Sequence, residues 1–139
     1  MTDIAGTSQH IVVVESAFDV RVLRDIVGDE PALLLEIVAY FDTVATGMRA
    51  GLLRAAADAD AGGAAMLAHS LKSSARSVGA LPLGVLCAEL EEHGEAGRSD
   101  MVAPLVGDVV DAIDAALAAM RCWRGAQAPA AGQMTGYGS

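Results

Sequence analysis

Aromatic side chains are scarce: two phenylalanines, two tyrosines and one tryptophan in 139 residues. Sandwiches and barrels built on aromatic cross-strand pairs are disfavoured by that shortage, and Trp123 and Tyr137 are too isolated to form a base-stacking platform. Basic residues are also few. Nine lysines and arginines face eighteen acidic residues, leaving a formal charge of −9, which opposes binding to nucleic acid or to an anionic membrane surface. The two cysteines, Cys87 and Cys122, form no CxxC pair, so the sequence supports neither a zinc site nor a disulfide framework. His10 and His93 have no partners at metal-ligand spacing, and no metal or cofactor of its own is expected. The N-terminus lacks a basic stretch leading into a long apolar run, and Ile11–Val14 is too short for a signal or membrane segment. A cytoplasmic location is expected. There is no glycine-rich phosphate loop either, so ATP-driven self-phosphorylation is not expected.

What the chain does have is apolar content of 53%, supplied mainly by alanine, leucine and valine. That mixture favours packed helices. Asp19 is a candidate N-cap for a short helix through Val27, stopped by Gly28. Asp29 can cap a second helix whose stripe Leu34, Ile37, Val38, Phe41, Val44, Met48 and Leu52 runs towards Ala57. Asp60 can cap a third that ends at Gly79. Pro82 opens a fourth, with Leu83, Leu86, Cys87 and Leu90 at helical spacing, and a last helix runs from about Met101 to Trp123. Short connections make consecutive helices antiparallel neighbours. The fold expected is therefore all-α, an up-down-up-down four-helix bundle with a short extra N-terminal helix. Residues 1–15 are read as an N-terminal extension, 16–124 as the bundle, and 125–139 as a flexible tail.

On the third helix, at about 100° per residue, Lys72, Ser73 and Arg76 fall within roughly 60° of His69. Leu67, Leu71, Ala75 and Val78 point the other way, towards the core. His69 is expected to be exposed. A neutral imidazole offers one nitrogen lone pair as a nucleophile. Lys72, one turn on, can oppose ring protonation and neutralise phosphoryl oxygens, while Arg76 extends the positive strip. Taken alone, such a histidine is more often just a solvated surface residue. The acidic residues Glu89, Glu91, Glu92 and Glu95 read as a solvated face, and Cys87 and Leu90 as core.

The wider string changes the balance. AHSLKSSARSVGA, followed by LGVLCAELE, resembles the histidine-containing phosphotransfer (HPt) family, whose pattern reads roughly A-H-x-L-K-G-S-x-x-x-(I/L/V)-G-A and then L-x-x-L-C-x-x-L-E. Ala68, His69, Leu71, Lys72, Ser74, Val78, Gly79, Ala80, Leu83, Leu86, Cys87, Leu90 and Glu91 carry the match. The resemblance implies that His69 is the phosphoacceptor, with Lys72 as its charge partner. It also implies partners that are receiver domains of a hybrid histidine kinase and a response regulator, with Mg2+ supplied by the receiver. Ser73 departs from the family's glycine, and a hydroxyl there could bond the second imidazole nitrogen or the phosphoryl group. Met66, one turn before His69, is a candidate partner contact. Two other readings remain at this level: a non-catalytic helical interaction or dimerisation module, and the phosphoacceptor domain of a chemotaxis-type kinase.

Overall fold

A computed structural model describes the backbone of residues 17–138 and side chains through Gln127. The expected N-terminal extension and His10 lie outside the described residues. Five helices follow one another: α1 (Val20–Val27), α2 (Pro31–Ala57), α3 (Ala61–Val78), α4 (Leu81–Glu95) and α5 (Ser99–Gly138). No strand occurs among the described residues.

Local chemistry sets most of the boundaries. The Asp19 carboxylate accepts from the Arg21 backbone N–H at 3.0 Å, and the Asp60 carboxylate from that of Gly63 at 2.9 Å, so two helix starts are satisfied by side chains. Gly79 ends α3 in the left-handed region, at φ 92°. It also lets the chain cross itself, since a Cβ there would lie 2.1 Å from the Asp19 carbonyl oxygen. The Asp19 N–H donates to the Gly79 carbonyl at 2.9 Å, which fixes the start of α1 against the α3–α4 turn.

Two boundaries differ from the sequence expectation. The N-cap of α2 is Glu30 rather than Asp29; Pro31 fixes the entry to the helix, and Asp29 instead pairs with Arg24 at 3.2 Å. The last helix starts at Ser99 and does not stop at Trp123, its backbone staying helical to Gly138. Beyond Trp123 four alanines favour the helix, but they are matched by four glycines and joined by Pro129, so local propensity does not account for its length.

One core unites the elements. Leu34, Val38, Phe41 and Leu52 of α2 meet Ala68, Leu71 and Ala75 of α3, Leu83, Cys87 and Leu90 of α4, and Val106, Val109, Ile113 and Met120 of α5. α3 packs on α4, α4 on α5, and α2 on both α3 and α5, while α1 lies against α2 and α3. Ile37, Val44 and Met48, expected within the α2 stripe, are only half-buried, because they edge the core rather than fill it. By length and composition α2 could cross a membrane; in the fold Leu34, Val38, Phe41, Ala45 and Leu52 of its apolar stripe are buried in the shared core. Ion pairs join α2 to α5, Arg49 to Asp114 at 2.8 Å and Arg124 to Asp42 at 2.8 Å. Small residues bring α3 and α4 together: a Cβ on Gly94 would lie 2.6 Å from the Ala61 carbonyl oxygen and 2.8 Å from the Ala65 Cβ.

Candidate functional site

Ala68, Leu71 and Ala75 are fully buried, which turns the opposite face of α3 outward and leaves the His69 side chain 65% exposed. On α4, Cys87 and Leu90 are anchored in the core. Glu91, one turn after Cys87, reaches across the close α3–α4 contact. Its Oε2 lies 2.6 Å from His69 Nδ1, and its Oε1 accepts from Lys72 Nζ at 2.5 Å.

The Glu91 side chain is only 13% exposed. The Lys72 ammonium, followed by the His69 ring, holds its carboxyl below the usual glutamate range, against the opposing effect of partial burial. It is therefore an ionised, acceptor-only group near neutral pH. An acceptor at Nδ1 requires that nitrogen to carry the proton, so in the neutral ring the free lone pair is on Nε2.

This arrangement corrects the reading of the acidic face. Glu89, Glu92 and Glu95 are exposed as expected, but Glu91 is not a solvated bystander. It sits four residues after buried Cys87, at the edge of the core stripe, and that spacing was the available signal for its inward aim. Glu91 also occupies the imidazole nitrogen, one of the two partners considered for the Ser73 hydroxyl, the other being the phosphoryl group.

The other sequence candidates are distributed around His69. Lys72 meets it through the shared carboxylate. Ser73 lies on the opposite flank, in a groove between α2 and α3 that Ile37, Tyr40, Val44 and Ser77 also line. Met66, 74% exposed, borders a second groove between α3 and α4, with His69 and Glu91 at its wall. Arg76 is drawn towards α4, where its stem lies across Gly84. Cys87, beneath the site, is inert: burial first, then the Glu91 charge, push its thiol up to about 12. Among the described residues, no cluster of metal-ligating side chains occurs.

The described residues thus form an all-helical domain that presents an exposed histidine, its ring held by a carboxylate of the neighbouring helix. By its family match, the class to which such a domain belongs is a phosphocarrier one. Residues 32–122 match the Hpt domain family, and the chain belongs to that family as a histidine phosphotransfer protein of a phosphorelay. Among solved structures it is similar to histidine-containing phosphotransfer protein B (HptB) from Pseudomonas aeruginosa PAO1. That match has a TM-score of 0.67 and 25% identity, and covers 78% of this chain and 95% of the other. A search of curated proteins returned no match. Proteins of the family are phosphocarriers rather than catalysts, and they interact with receiver domains of two-component systems.

Proposed function

We propose that His69 is the phosphoacceptor, taking a phosphoryl group from a receiver aspartate of a hybrid kinase and passing it to the receiver of a response regulator. The observation that carries this reading is the His69–Glu91 contact, which leaves Nε2 free on an exposed ring. The Nε2 lone pair attacks phosphorus, the bond from phosphorus to the aspartyl oxygen breaks, and its electron pair returns to the carboxylate. As the ring gains positive charge, the Glu91 carboxylate at Nδ1 stabilises it. The onward step is the reverse, towards another aspartate. Lys72 neutralises phosphoryl oxygens, and Arg76 and Met66 contribute to the partner-facing surface. The chain needs no cofactor of its own; Mg2+ in the receiver supplies further charge neutralisation.

Receiver domains meet the α3 face, with the uncharged α2–α3 groove beside it taking apolar partner surface. The four longer helices are read as an antiparallel up-down-up-down bundle, and α1 as the short extra helix. Residues 16–124 are the phosphotransfer unit, with 1–15 an extension and 125–139 a tail. The location is cytoplasmic.

Incubation with phosphorylated receivers tests this reading, comparing the protein with its His69→Gln variant. Label that is acid-labile, base-stable and absent from the variant is the expected result. No label from any receiver would favour an interaction module, and label only from an ATP-binding kinase core would favour the chemotaxis-type reading.

A further inference from the structure

We propose that the Ser73 hydroxyl is a phosphoryl contact that lengthens the life of phosphohistidine, an inference that rests on His69 being the phosphoacceptor. Residues four apart on a helix are neighbours, with Cβ atoms about 5–6 Å apart. Cα–Cβ bonds tilt towards the helix N-terminus, so Ser73 leans back over the turn that carries His69. The Nδ1 edge of the ring is held towards α4 by Glu91, and Ser73 lines the groove on the α2 side of α3.

Two of the three other hydroxyls near Ser73 are spent within the helix, and the third, on exposed Ser70, borders the α3–α4 groove. Ser74 Oγ donates to the Ser70 carbonyl at 3.5 Å and Ser77 Oγ to the Ser73 carbonyl at 3.0 Å. Ser73 Oγ makes no hydrogen bond among the described residues, and the residue is exposed. The nearby cations lie on the other flank, Lys72 on Glu91 and the Arg76 stem across Gly84. Ser73, which lines the α2–α3 groove where Ser70 does not, is a free donor one turn from the reacting residue.

A phosphoryl group on Nε2 presents strong acceptor oxygens, and a hydroxyl within reach donates to one of them. In hydrolysis a water oxygen bonds to phosphorus, the Nε2–P bond breaks and its electron pair returns to Nε2. Both water protons leave on inorganic phosphate. As the N–P bond stretches in a loose transition state, charge drains from the phosphoryl oxygens towards the leaving nitrogen. A donor fixed on those oxygens therefore stabilises the intact phosphohistidine more than the transition state. Ser73 acts as a retention contact.

The test labels the protein without any receiver, using phosphoramidate, which phosphorylates imidazoles with release of ammonia. After donor removal, the decay of phosphohistidine mapped to residue 69 is followed by peptide mass and 31P NMR in wild type, Ser73→Ala, Ser73→Gly and Ser73→Thr. The expected result is decay about three- to tenfold faster in the alanine and glycine variants, with threonine near wild type. Alanine decaying at the wild-type rate overturns the proposal, and if glycine alone is faster, the shielding is steric. If no label maps to residue 69 in wild type, the phosphoacceptor reading itself fails.

Discussion

Glu91 serves two donors, the Lys72 ammonium and the His69 ring, with one carboxylate, and removing its charge separates its roles. Glu91→Ala deprives Nδ1 of its acceptor and is expected to slow phosphoramidate labelling of His69 roughly tenfold, while Glu91→Gln, still an acceptor, recovers part of that loss. The pH dependence has a definite sign. The folded carboxyl titrates below its ordinary value of 4.5, so the stability drawn from Lys72 and His69 is present above that value and is lost as pH falls through the depressed folded value. Urea unfolding between neutral pH and about pH 3 should show this loss in wild type and a shallower one in Glu91→Gln. Cys87, with its thiol pushed up to about 12, should resist an aromatic disulfide reagent near pH 8 while exposed Cys122 reacts. One thiol is expected to titrate in the native protein and two in denaturant. Modification of both thiols in the native protein would contradict the buried placement of Cys87.

The helices were legible in the sequence where a boundary depends on neighbouring residues. Asp19, Asp60 and Gly79 each act within a few residues of their own position, and each does what its type suggests. The end of α5 was not legible, because Gly125, Pro129 and Gly132 are residue types that ordinarily stop a helix and here the backbone runs through them. His69, Lys72 and Ser73 could be placed on one face from helical periodicity alone. Glu91 could not be joined to them that way, since it lies 22 residues from His69 in sequence and meets it only because α3 and α4 approach closely. Gly94 permits that approach. Gly94→Ala is expected to destabilise the fold by about 1–3 kcal/mol through overpacking, and to slow labelling by shifting Glu91, one turn away. Gly107, in α5, has open space around its Cβ position, and Gly107→Ala should stabilise by about 1 kcal/mol. Thermal and urea unfolding of the two variants should move in opposite directions.

As a whole, the molecule carries a charge of −9 around a small basic strip beside an exposed histidine. Such a surface repels itself, so raising sodium chloride from about 20 to about 200 mM should raise Tm; a fall would mean that the α2–α5 ion pairs outweigh the repulsion. The ring of four helices closes with the start of the described chain lying against its last helix. The Phe18 ring packs edge-on to that of Trp123, with centroids 5.8 Å apart. Because Trp123 is the chain's single tryptophan, its intrinsic fluorescence is a built-in reporter of that closure. The emission spectrum follows the seam between the two ends of the fold, while the chemistry of His69 is read separately through phosphorus.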